Sequence, residues 1–168
     1  NFTHINLADQ FKLHTITRKY QAITWGVPTN QTIEGYIERH KINRKKMSLN
    51  REEKGKFSKT TIKLVKSFQN ASLIECKLDT GRTHQIRLHL TSIDAPIVGD
   101  DVYGKNRVSK YGLDKQNFSK FLILKNFQRQ ALHATHLGFF HPILKKNMEF
   151  NVKLPDDMAN LLDLLLKH

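Results

Sequence analysis

The chain has 168 residues, 39% hydrophobic and 26% charged, which suits one domain with its own core and excludes a disordered tail. Lys and Arg outnumber Asp and Glu by 28 to 15, a net charge of +13, and that excess points to a polyanionic partner, nucleic acid first. The single cysteine, Cys76, excludes an intramolecular disulfide framework and a cysteine-rich zinc site, and fits a reducing cytoplasm.

The opening residues, NFTHINLADQFKLHTITRKY, carry no signal- or transit-peptide pattern. They read as mid-protein sequence, so a fragment of a longer protein is expected. No run approaches the roughly 18 apolar residues of a membrane helix, and no membrane partner is expected. RKYQAITWGV predicts a strand ending near Gly26 and Pro28. QTIEGYIE reads as a weaker, shorter strand. From Arg39 to Lys66 eleven Lys or Arg stand against two acids, Glu52 and Glu53. The middle of that stretch, NRKKMSLNREEKGKFSK, reads as an exposed loop between strands. It is either a solvated loop or a phosphate-binding arm, and the global charge favours the arm, with Arg44, Lys45, Lys46, Lys54 and Lys56 as its contacts. Phosphate contacts of that kind make affinity fall steeply with salt.

TTIKLVKSF and ASLIECKLD alternate apolar and polar residues and predict a hairpin about a short polar link. After Gly81 the period changes. Ile86, Leu90 and Ile93 stand at i, i+4 and i+7, so THQIRLHLTSI predicts a helix, with Thr80, Gly81 and Thr83 supplying the turn and a candidate N-cap. DAPIVGDDVYG reads as a loop, and 114–126 as loop or short helix. ALHATHLGFFHP and NMEFNVKLP predict two further strands. PDDMANLLDLLLKH predicts a terminal helix, with Asp156 and Asp157 at the positive end of its dipole and Met158, Leu161, Leu162 and Leu165 as its apolar face. Together these elements predict an α+β fold with a mixed, mostly antiparallel β-sheet and flanking helices.

The densest chemistry lies in TGRTHQIRLHL, where Arg82 and Arg87 share a strand-to-helix junction with His84 and His89. Arg87 is expected next to the apolar stripe and half-buried. Its forked donors then need a carboxylate or a phosphate; an ordinary structural ion pair and a functional one are equally open. The His84/His89 and His133/His136 pairs lack metal-ligand support. There is no Gly-rich phosphate loop, nucleophile elbow or HExxH motif.

TGRTHQIRLHLTSIDAPIVGDDVYG resembles the signature of the RluA-type pseudouridine synthases, TGR-[ST]-HQ-[IL]-R followed by a GDxxYG loop. RKYQAITWGVP is similar to that family's Lys/Arg-x-Tyr-x-Ala segment, and ALHATHLGFFHP to its LHA-x-x-L-x-F-x-HP strand. The three motifs fall in the family order, over about Phe11 to Leu162. The resemblance implies a pseudouridine synthase fold, present in part, and isomerisation of uridine to pseudouridine in RNA, ribosomal ahead of transfer RNA. It implies no metal or organic cofactor. The target uridine would be flipped out of its stack.

Carried over residue by residue, the resemblance implies that Tyr20 stacks on the flipped uracil, with its hydroxyl available for proton removal at carbon five. It implies that Arg87 pairs with the catalytic aspartate and keeps it ionised, and that Leu132 packs beneath the site. Arg82 and His84 would lie near the cleft as RNA contacts, while Asp100, Tyr103 and Gly104 would shape the loop beside it. The family aspartate sits in an HRLDxxTSG motif upstream of the RKY segment, and these 168 residues hold no such motif. The expectation is therefore the C-terminal portion of a synthase catalytic domain, inactive alone. The alternatives are a non-catalytic RNA-binding module using the same basic cleft and, more weakly, a DNA-binding domain.

Overall fold

The computed structural model describes residues 2–104 and 118–167. Among these, four helices and seven strands run in the order α1 (Phe2–Lys12), β1 (Thr17–Trp25), β2 (Gln31–Arg39), β3 (Met47–Asn50), β4 (Lys56–Ser67), β5 (Ala71–Leu78), α2 (Gln85–Ser92), α3 (Phe118–Lys125), β6 (Leu132–His141), β7 (Lys146–Asn151) and α4 (Asp156–Lys167). The strands form one sheet in the order β3-β2-β4-β5-β1-β6-β7, antiparallel at every pairing.

Two expectations need correction. QTIEGYIE lies in a full nine-residue strand, β2. The basic stretch is not a plain loop, because β3 runs through it. Met47 and Leu49 alternate with Ser48 and Asn50, a period of two diluted by the charges around them. Leu49 packs into the space left by Gly35, where a Cβ would stand 2.7 Å from its Cδ1. Helix α1 buries no residue; the side-chain amide of Gln10 holds it to β6 by donating to the Phe140 carbonyl (2.8 Å) and accepting the Phe140 N–H (2.9 Å). Residues 114–117 of the expected loop or short helix lie outside the described residues.

Paired residues share a sheet face. Register places Tyr20 and Ala22 of β1, Ile74 and Cys76 of β5, and Ser58, Thr60 and Ile62 of β4 on one face. Helix α2 packs over the β2–β4 part of that face. Ile23 and Trp25 project from the other face, where Trp25 meets Phe121 of α3 at 5.6 Å. α4 packs against α3 and buries Met158, Leu161 and Leu165. Cys76 is fully buried, which pushes its thiol up to about 12. In β6 one extra residue, Thr135, bulges opposite the Lys19–Tyr20 step.

Candidate functional site

The junction from β5 into α2 is built by side chains. His84 takes the N-cap position in a left-handed conformation (φ 58°) and its side chain caps nothing, which corrects the expected threonine cap. Gln85 braces the turn ahead of the helix: its Oε1 accepts the Arg82 N–H (2.9 Å) and the Thr80 hydroxyl (2.8 Å). Its Nε2 donates to the Lys59 carbonyl (3.0 Å) and to Thr60 Oγ1 (2.9 Å).

The network continues through His89, which is fully buried. Ser58 donates its hydroxyl to the Gly35 carbonyl (2.7 Å), so His89 Nε2–H is the donor to Ser58 Oγ (2.9 Å). Nδ1 then accepts from Thr60 (2.9 Å). Every polar atom is satisfied only with a neutral ring, and burial pushes its pKa down to about 4. This chain of bonds fixes α2, and with it Arg87, on the sheet.

Arg87 points off α2 toward the following loop. Its Nε donates to Asp100 Oδ2 and its Nη2 to Oδ1, both at 2.7 Å. The Arg87 side chain is 13% exposed and that of Asp100 1%. Asp100 also accepts the N–H groups of Val102 (3.1 Å) and Tyr103 (3.2 Å). The Tyr103 ring lies under the guanidinium, 4.7 Å from Cζ, a cation–π contact. The Asp100 hydrogen bonds raise the guanidinium's affinity for its proton. Asp100 takes one bidentate edge of Arg87, and Nη1 makes no hydrogen bond among the described residues. A second anion thus has a donor to meet. Asp100, expected only to shape its loop, is the carboxylate that orients Arg87.

Tyr20 is half-buried on the sheet face that α2 shares, paired with Cys76 on one side and Ala134 on the other. Leu132, also half-buried, pairs with Ala22 on that face and is a diagonal neighbour of Tyr20. The fold therefore brings Tyr20 and Leu132 together on the sheet face that α2 shares, two and three strands along from β4, over which the helix carrying Arg87 packs. His84 Nδ1 meets the Tyr103 hydroxyl at 2.8 Å. Burial, with the Arg87 charge beside it, holds the His84 imidazole below its ordinary pKa.

The basic residues divide. Arg82 and Lys56 line, with Arg39, Glu38 and Gly81, a groove of ≈ 450 Å³, where Arg82 Nε donates to the Phe57 carbonyl (2.8 Å). Lys46 donates to the Val102 carbonyl (3.3 Å), and the Met47 N–H to the Tyr103 hydroxyl (2.9 Å). The start of β3 is thereby tied to the Asp100 loop. Arg44 and Lys45 are exposed between β2 and β3, outside that groove. Lys54, between β3 and β4, pairs with Glu52 at 2.6 Å.

A protein-family model described as RNA pseudouridylate synthase matches residues 2–92. The chain is 42% identical over 164 residues to the ribosomal large subunit pseudouridine synthase D of Zymomonas mobilis subsp. mobilis, covering 97% of this chain and 49% of that protein. It is 42% identical over 171 residues to the protein of the same name from Buchnera aphidicola subsp. Baizongia pistaciae, covering 100% and 52%. It is 37% identical over 170 residues to the uncharacterized RNA pseudouridine synthase YlyB of Bacillus subtilis, covering 100% and 50%. The chain spans about half the length of these curated relatives. In fold it is similar to the solved structure of human RNA pseudouridylate synthase domain containing 4, with a TM-score of 0.70 at 24% identity over 96% of this chain and 67% of that one.

Proposed function

The chain belongs to the RNA pseudouridylate synthase family, and on that footing we propose that it supplies the base-binding and arginine-bearing part of a site that converts uridine to pseudouridine in RNA. The reaction breaks the N1–C1′ bond and forms a C5–C1′ bond. Carbon five loses a proton and N1 gains one, so no electron acceptor is consumed. In this reading Tyr20 stacks on the flipped uracil and Leu132 packs beside it. The free side of Arg87 meets a carboxylate nucleophile, and Arg82, His84, Lys56 and the basic hairpin hold the RNA backbone. The nucleophile belongs to an HRLDxxTSG segment outside these 168 residues, which makes the chain the C-terminal portion of the catalytic domain and inactive alone. Two of the relatives are named for the large ribosomal subunit, which supports ribosomal RNA as the substrate.

The observation that carries this reading is the placement of Arg87. Asp100 orients it at 2.7 Å on a helix lying over the sheet face that bears Tyr20 and Leu132. A chimera joining the N-terminal half of the Zymomonas mobilis relative to residues 1–168 tests it. Tritium should be released from RNA labelled at uracil carbon five by the chimera and not by the 168 residues alone. Arg87→Ala and Tyr20→Phe should each lower turnover at least about 100-fold while changing RNA affinity little. Full turnover in both variants would remove the two residues from the site. Salt-dependent RNA binding by a chimera that releases no tritium would favour the second reading, a binding module, which the basic groove supports by itself.

A further inference from the structure

Arg87 comes from the helix over the Tyr20 face of the sheet and Arg18 from that face itself, and of the two only Arg87 meets a carboxylate among the described residues. Arg87 is paired with Asp100. Arg18, two residues before Tyr20 on β1, has no carboxylate partner among the described residues, and its Nε is buried with no hydrogen-bond partner. A buried donor left unpaired is costly, and an uncompensated guanidinium more so. Residues two apart on a strand share a face at roughly 6.6 Å, so Arg18 emerges beside Tyr20.

The position of its head group is specific. Cζ lies over the Phe11 ring of α1 at 5.6 Å, and the guanidinium reaches across the end of β5 to Gly81, where any Cβ would overlap Nη1. Gly81 also lines the basic groove with Arg39, Lys56 and Arg82. Arg18 is thus the cation between that groove and Tyr20. A purely structural staple would place its donors on backbone carbonyls, and among the described residues this one uses none. We propose that Arg18 is a phosphate-binding residue, taking the phosphate of the nucleotide whose base rests on Tyr20. The identity of that base rests on the reading above; the phosphate contact does not.

The test uses the ¹⁵N-labelled 168-residue chain titrated with uridine 5′-monophosphate, uridine and inorganic phosphate. The Arg18 Nε–H resonance should move with the monophosphate and with phosphate, and stay in place with uridine. The monophosphate should bind about tenfold more tightly than uridine. That advantage should fall below about twofold in Arg18→Gln and be partly kept in Arg18→Lys. An unmoved Arg18 Nε–H, or an advantage that survives in Arg18→Gln, overturns the proposal. A moving Arg18 with an unresponsive Tyr20 ring would sink the stacking role of Tyr20 and leave the phosphate site standing.

Discussion

Asp100 meets Arg87 edge to edge, through two parallel hydrogen bonds of 2.7 Å, while its Oδ1 also accepts two backbone N–H groups of its own loop. One carboxylate therefore fixes both the helix side chain and the turn 13 positions later in the chain. Asp100→Asn puts an N–H₂ where an acceptor is required and leaves the guanidinium charge unmatched. It should cost about 3–5 kcal/mol, read from urea unfolding. A loss within error of zero would mean that the pair does not hold the loop.

His89 makes stability pH-dependent. Its folded pKa, about 4, lies below the ordinary 6.5, so between those values the unfolded chain binds the extra proton. Stability then rises with pH across that window. The His89 contribution is complete above pH 6.5 and is lost as pH falls toward 4, about 3 kcal/mol in all. Urea midpoints at pH 7, 5.5 and 4.5 should show the slope in the wild type and a flatter one in His89→Gln. The ¹⁵N shifts of the ring should identify the Nε2–H tautomer.

Tyr103→Phe keeps the ring under Arg87 and deletes the hydroxyl that accepts the Met47 N–H and meets His84. The expected cost is about 1–2 kcal/mol. Faster hydrogen exchange should appear at the Met47 amide, with the Arg87 Nε–H left in place. Unchanged Met47 protection would show that Lys46 alone ties the hairpin to the loop.

Gly99 precedes Asp100 with φ at 74°, and a Cβ there would run into the backbone carbonyl of Arg129. Backbone cannot swing aside as a side chain can. Gly99→Ala should cost at least about 2 kcal/mol and displace the Arg87 Nε–H resonance through Asp100. Gly81→Ala meets only the flexible end of Arg18 and should unfold at nearly the wild-type urea midpoint.

Elements with a buried face were legible from residue spacing: β1, β5 and α4 each impose a period on their apolar residues. Helix α1 was not, because it buries nothing and so leaves no such imprint. Strand β3 was hidden because its two apolar residues stand among eleven cations. At the site, the TGRTHQIR segment pointed to Arg87 and to its need for an anion. The partner could not be read from spacing, since the path of the loop, not its length, brings Asp100 back to the helix. The threonine cap failed because the helix starts later, with His84 at its N-cap, and the Thr80 hydroxyl is spent on the Lys59 N–H and on Gln85.

The extra residue in β6 is taken up by the bulge, so pairing resumes on the far side of it with consecutive residues of β1. Before Thr135, Leu132 and Ala134 look toward the α2 side of the sheet; after it, Leu137 does, paired with Arg18 and Phe150. Deleting that single position would leave an unbulged ladder with Ala134 opposite Tyr20, His136 opposite Lys19 and Leu137 opposite Arg18, so Leu137 and Phe139 would keep their side. Thr135 therefore sets local twist and not facing: a one-residue gap there should remove the kink of the bulge and leave the flanking pairs in register, while a further inserted residue should put Leu137 and Phe139 on the opposite side.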